Sequence, residues 1–261
     1  MKKPLFFATL LLVALTVPAL AQTGVKKRRP LPFEYGRVVL NNYSEHAGRA
    51  PVVFDHWLHR AKFTCRLCHV DIGFAMKSGV TGIKAADNNQ GYYCGSCHNG
   101  KTAFFSCNTA AGQGEPQKCD RCHSLGKNIT PQHEFNKFTA SLPRGRFGNG
   151  IDWEKAEDEG KITPVDFLAG ISIQRDPLLV QKDFDITAKV AGMPEIIFSH
   201  KKHTIWNGCE LCHPEIFIGI KKGKTQYSMT EIYEGKYCGA CHVSVAFPLI
   251  DCQRCHTKQL Q

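Results

Sequence analysis

Past residue 22 the chain lacks any apolar run long enough to cross a bilayer, for which about 20 consecutive apolar residues are needed. The earlier run from Leu5 to Val17 follows Lys2 and Lys3 and precedes a small-x-small site, Ala19-Leu20-Ala21. It is short for a span, so residues 1–21 are expected to be a secretory signal peptide cleaved before Gln22. No cysteine stands at that site, which excludes a lipid anchor there. Residues 126–195 contain no cysteine either, so no cysteine chemistry is expected within that stretch. The expectation is an exported chain, periplasmic or else at the outer surface or extracellular, with no transmembrane segment after cleavage.

What the chain has in excess is cysteine: 13 among 261 residues. In an exported protein that count normally reads as a disulfide framework. Here twelve of them form six Cys-x-x-Cys pairs, each followed at once by histidine. The sets are Cys65/Cys68/His69, Cys94/Cys97/His98, Cys119/Cys122/His123, Cys209/Cys212/His213, Cys238/Cys241/His242 and Cys252/Cys255/His256. Disulfides need no histidine at one fixed offset. Zinc wants four ligands in paired knuckles and leaves the fifth residue free. Cys-x-x-Cys-His is the attachment signature of c-type haem. Its two sulfurs form thioethers with the vinyl groups on one edge of the porphyrin, and the next residue offers its imidazole to the iron. The spacing therefore predicts six covalently bound haem c groups.

From Phe198 to His256 there are only 59 residues for three motifs, too few to bury an ordinary core, so the cofactors themselves are expected to form it. The predicted fold is mostly irregular, with short α-helices near the motifs and little sheet. Six histidines remain, His46, His56, His59, His133, His200 and His203, one for the second axial position of each of six haems. His56/His59 and His200/His203 are His-x-x-His pairs whose first member stands nine residues before a motif in both copies. Two histidines three apart can point in different directions and serve two neighbouring haems. His46 and His133 have no matched spacing. Met76, Met193 and Met229 are alternative sulfur ligands, and methionine raises a haem's potential relative to a second histidine.

An offset of 144 places Phe54 on Phe198, His56 on His200, His59 on His203 and the first two motifs on their partners. Gly79/Gly223, Thr81/Thr225, Gly91/Gly235 and Tyr93/Tyr237 fall in line too. The third motifs break register by 11 residues, because the first copy inserts SCNTAAGQGEPQ, with the odd Cys107 expected as an unpaired thiol. Repetition predicts two three-haem modules, 22–125 and 196–261, joined by a linker over 126–195 with short helices. In that linker acidic residues follow Asp152, and Thr163-Pro164 reads as a helix start with Gly170 beyond its end. The linker is expected to pack between or over the modules, as a spacer or as a docking segment for a partner.

The pattern FSHKKH…CELCHPEIF…MTEIYEGKYCGACH…AF…CQRCH resembles the three-haem cytochrome c7 family, itself related to the four-haem cytochrome c3 family. The resemblance covers 54–123 and 198–256. It implies closely spaced, low-potential bis-histidine haems and electron transfer in anaerobic respiration, often toward extracellular metal oxides. By that pattern His56 and His200 serve the first haem of their modules, and His59 and His203 the second. Family modules also place a histidine between the first two motifs for the third haem. Neither 70–93 nor 214–237 contains one, which leaves His46 and His133 as the candidates.

The formal charge is +10, about +8 without Lys2 and Lys3. Six haems with ionised propionates bring it to roughly +2 oxidised and −4 reduced. That balance, with export, excludes nucleic acid as a partner. Lys201, Lys202, Lys221 and Lys222 read as neighbours of propionates or as steering residues for acidic redox partners. The expected function is electron transfer between respiratory redox partners, membrane quinol-linked donors or outer-membrane cytochrome complexes, with no catalytic residue. The alternative is a multihaem oxyanion reductase, which needs one iron with an open position. No Cys-x-x-Cys-Lys variant occurs, so such an opening would arise only where His46 or His133 does not bind.

Overall fold

With 23 glycines and 13 prolines, the backbone turns too often for long elements. The computed structural model describes residues 29–106, 116–127, 134–176, 182–218, 221 and 223–258. The expected signal peptide, Cys107, His133 and Lys222 lie outside them. Among the described residues the longest helix has eight residues, and no helix is long and apolar enough to cross a membrane. Residues from Leu31 onward make one unit, and the description below concerns that unit.

Strand β1 (Arg37–Leu40) pairs antiparallel with β2 (Val52–Asp55), Arg37 opposite Asp55, where a bidentate ion pair at 2.7 and 3.0 Å closes the ladder. β2 runs directly into α1 (His56–Arg60). The first motif leads into a π-helical turn, Leu67–Asp71. Then come α2 (Ala85–Asn89), a 3-10 turn over Tyr93–Ser96 and α3 (Pro116–Cys119). The linker supplies α4 (Phe135–Phe138) and α5 (Trp153–Asp158). The plan repeats around the second set of motifs, with its first strand supplied by the end of the linker. β3 (Phe184–Ile186) pairs with β4 (Ile196–Phe198), which leads to α6 (His200–Asn207), α7 (Met229–Tyr233), α8 (Gly239–His242) and α9 (Cys252–Cys255). The architecture is the expected one, mostly irregular with short helices and two small hairpins.

The chain also builds a small apolar core of its own. Trp57, Ala61, Phe135, Leu142, Ile151, Trp153, Ala156 and Ile162 form a buried cluster, six of whose eight members come from the linker. Trp57 meets Phe135 edge-on at 5.1 Å, which locks α1 to α4. The linker is therefore a packed layer and not a plain spacer. Asp152 caps α5 by accepting a hydrogen bond from the Lys155 amide at 3.2 Å. The acidic residues of α5 face the chain's own cations: Asp152 and Glu154 hold Arg254 at 3.2 and 3.0 Å, and Glu154 and Asp158 hold Lys202. Lys202 is thus engaged by carboxylates of the linker.

The helix expected from Thr163-Pro164 does not form. Val165 instead makes a parallel bridge with Phe63, and the Asp166 carboxylate pairs with the buried Arg66 and accepts from the Thr64 hydroxyl at 2.6 Å. A helix of so few residues has little stability of its own, so tertiary pairing overrides the local signal.

Candidate haem sites

A cavity of about 2360 Å³ extends through both modules. Small-molecule pockets run to roughly 300–1,000 Å³, and native interiors otherwise hold few voids larger than a water. Its wall carries both cysteines of five motifs and, from the fourth, Cys212. It also carries His56, His59, His69, His98, His123, His203, His242 and His256. Cys209 is exposed, and neither His200 nor His213 lines the cavity, so the fourth motif sits at an open edge. Among the described residues no group of three or more His, Cys, Asp or Glu side chains gathers to hold a bare metal ion.

Three pairs of imidazoles face one another across this cavity. His56 and His69 lie 6.5 Å apart between ring centroids, with planes within 9°. His59 and His98 are 6.4 Å apart, and His203 and His242 6.3 Å. Imidazole–metal bonds of about 2 Å on either side of one ion would leave the rings roughly 6 Å apart. The rings of His200 and His213 are not brought to that separation among the described residues. Phe54 packs 4.3 Å from His59, and Phe198 packs 4.4 Å from His203, so the same aromatic wall backs the second pair in each module.

Each of these rings is aimed by its far nitrogen. In the motif histidines Nδ1–H donates to a backbone carbonyl: His69 to Phe74, His98 to Phe104, His123 to Ala50, His213 to Phe217, His242 to Phe247 and His256 to Pro194, at 2.7–3.0 Å. His56, His59, His200 and His203 do the same with Gly36, Asp55, Lys182 and Ser199, at 2.6–3.2 Å. A carbonyl can only accept, so the proton sits on Nδ1 and Nε2 is left as a lone-pair donor, the arrangement a metal-binding histidine requires. Burial lowers the pKa of His56, His59 and His242 to about 4, which keeps these imidazoles neutral. Burial also pushes the Cys68, Cys94 and Cys241 thiols up to about 12, so they stay uncharged.

The family model described as "Cytochrome c7 and related cytochrome c" matches residues 52–124 and 196–257, just over half of the chain. The chain belongs to this family. Cytochromes of this type bind haem c, typically transfer electrons and are generally exported. No curated protein matches the chain. Among solved structures, the C-terminal hexaheme fragment of GSU1996 is 24% identical, covering 88% of this chain and 99% of that one, with a TM-score of 0.26. The N-terminal hexaheme fragment is 23% identical over 86% and 99%, also at 0.26. The dodecaheme cytochrome c GSU1996 is 22% identical over 89% and 75%, at 0.27. Superpositions that loose bear no weight beyond their statement.

In this cytochrome the second motif of each module is shaped by close backbone contact. A Cβ at Gly95 would stand 1.9 Å from the Asn88 carbonyl oxygen, and one at Gly239 would stand 1.9 Å from that of Ile232. Only glycine lets the Cys-x-x-Cys turn nest against the end of the preceding helix, α2 or α7. The residue before each of these motifs, Tyr93 or Tyr237, takes a left-handed conformation, φ 47° and 52°. That is uncommon for a bulky side chain, and the surroundings must hold it. The sequence showed these residues as matched pairs without showing why.

The motifs approach one another in a definite order. Cys94 lies within electrostatic reach of Cys122, and Cys68 of Cys94 and Cys97. Cys65 is near Cys212 and Cys241, and Cys238 is near Cys255. The first module thus runs third, second, first motif, and its first motif meets the fourth and fifth.

Two of the expected site residues stand apart. His46 lies on an exposed 3-10 turn, Glu45–Ala47, outside the cavity wall, and has no carbonyl partner of the kind above among the described residues. Cys119 is disulfide-bonded, with its partner outside the described residues, so haem attachment there needs its thiol form. The other eleven motif cysteines form no disulfide.

Proposed function

We propose that the protein is an exported hexahaem cytochrome that carries electrons between respiratory redox proteins. Haem would be held by Cys65/Cys68, Cys94/Cys97, Cys119/Cys122, Cys209/Cys212, Cys238/Cys241 and Cys252/Cys255, with attachment at the third motif requiring Cys119 in its thiol form. A haem so held supplies a one-electron iron couple. The observation that carries the reading is the set of opposed imidazoles, His56 with His69, His59 with His98 and His203 with His242, at 6.3–6.5 Å with Nδ1 tied back. Residues so arranged occupy both axial directions and leave no place for a substrate. His200 would complete the fourth site with His213 after a small adjustment at its open edge. At the sixth motif, Met193 lines the same cavity as His256, which makes its sulfur a candidate distal group there. Two three-haem modules, 22–125 and 196–261, with the linker 126–195 packed on them, follow from this assignment.

A second reading, an oxyanion reductase, is favoured by one observation, the outward position of His46, which leaves His123 without a described partner across the cavity. The intact mass of the matured protein gives the haem number, and low-temperature electron paramagnetic resonance of the oxidised form, quantified per haem, gives the ligation. Six haems, all low-spin, support the electron carrier. A high-spin haem identifies a site for substrate, and fewer than six haems removes the assignment at one motif.

A further inference from the structure

The first and second modules meet around a half-buried arginine that none of the haem-ligand roles uses. Arg60 closes α1, next to His59, and its guanidinium lies between two indoles, 5.0 Å from the centroid of Trp153 in the linker and 5.4 Å from that of Trp206 in the second module. Its NH1 donates to the Val245 carbonyl at 2.9 Å, and its buried Nε has no hydrogen-bond partner. Tyr35 adds a parallel strap by donating to the Ala246 carbonyl at 2.7 Å. Arg60 lies within electrostatic reach of Cys65, the first motif, and of Cys241, the fifth. It also bears on the imidazoles of His56 and His242. Arginine remains protonated in proteins, so this charge is fixed, and the site that holds it is screened poorly by salt.

We propose that Arg60 is a tuning residue for electron flow between the modules: its fixed charge, shared by the first and fifth attachment sites, raises the reduction potentials of the two haems held there and favours electron occupancy at the junction. This rests on the haem assignments proposed above. Reduction adds one negative charge to an iron–porphyrin centre, and a nearby cation stabilises that charge more strongly in a buried site than in water. The two indoles hold the guanidinium by cation–π contact and keep it from reaching solvent.

The test uses the full haem-loaded protein, with the potential of each haem followed by spectroscopically resolved redox titration. Arg60→Gln removes the charge and retains a donor for the Val245 carbonyl. It is expected to lower the ratio of reduced to oxidised form tenfold, about 59 mV for a one-electron couple, at the first and fifth sites. The sites at Cys119/Cys122 and Cys252/Cys255 should move less than twofold. Arg60→Lys, which keeps the charge, should restore both potentials to within threefold. A second variant, Val245→Asp, leaves Arg60 in place and adds a carboxylate on the residue whose carbonyl Arg60 holds, and it should lower the same two potentials. The proposal is overturned if Arg60→Lys shifts them as far as Arg60→Gln, if all haems shift alike, or if neither Arg60→Gln nor Val245→Asp shifts any. A wild-type protein without haem at the first or fifth motif would instead overturn the underlying assignment, which the intact mass reports separately.

Discussion

Trp57→Ala tests whether the linker core sets the haem ligands of the first module. Trp57 stands between His56 and His59 in the five-residue α1, is 3% exposed, and touches Phe135 at 5.1 Å and Phe138 at 5.6 Å. Truncating a buried aromatic costs about 3–5 kcal/mol, the aromatic pairing included. For a chain of this size each kcal/mol is worth roughly 2–4 °C, so the midpoint should fall by roughly 6–20 °C. So short a helix cannot hold its shape without that anchor, so His56 and His59 should lose their aim together. The 144-residue offset places the exposed Lys201 at the equivalent position of the second module, which makes Lys201→Ala the control, expected within about 0.5 kcal/mol. Thermal unfolding followed by Soret absorbance, with spin-state quantification at room temperature, reads both effects. Trp57→Ala should create high-spin haem in the first module and leave the second low-spin. A midpoint unchanged within 2 °C with all haems low-spin would refute the argument that the linker core positions these ligands.

Gly239→Ala sets a Cβ 1.9 Å from the Ile232 carbonyl oxygen, so it should cost at least ~1–3 kcal/mol and lower haem occupancy at the fifth motif alone, as intact mass would show; full occupancy contradicts it. Asp166→Ala removes the carboxylate partner of Arg66, which is 5% exposed and keeps Asp71 at 3.8 Å and the main-chain carbonyl of residue 166 at 2.7 Å. Because Asp166 itself is half exposed, the loss should be about 1–3 kcal/mol in a denaturant titration, and a change below about 0.5 kcal/mol would show the pair to be idle. Acid acts through His56, His59 and His242, whose pKa burial lowers to about 4. Their neutral forms belong to the folded state, so the stability they contribute is complete above about pH 6.5 and is lost as pH falls from there towards 4. Urea midpoints at pH 7, 5.5 and 4.5 should decline in that order; a flat profile contradicts the burial of these rings.

The sequence carried the chemistry better than the packing. A Cys-x-x-Cys-His motif is local, and the two His-x-x-His pairs keep one spacing, so His56, His59 and His203 were legible, and the structure brings each to a motif histidine. The carbonyl partners of Nδ1 were not, because Ala50 lies 73 residues from His123 and Pro194 lies 62 from His256. Val165 illustrates the same limit. Thr163-Pro164 has the local form of a helix start, yet Phe63, a hundred residues earlier, takes Val165 into a bridge. The apolar residues of 135–162 showed no motif at all. Their role appears only when Trp57 is seen against Phe135. His133 lies outside the described residues, and His46 had no spacing to place it.

The ten tied imidazoles carry a consequence for how such a protein can be adjusted. Each leans on an uncharged peptide oxygen and none on a carboxylate, so each presents nearly the same basicity. Among the haems that these imidazoles hold on both sides, ligand strength is then nearly constant, and differences in driving force between them must be written in what surrounds the rings: a lysine at an open edge, a wall left wet or dry, an arginine between two indoles. Such features can be altered singly without unseating a ligand. The voltage profile of the molecule is thereby separable from its assembly, and selection, or an engineer, can reset one while leaving the other alone.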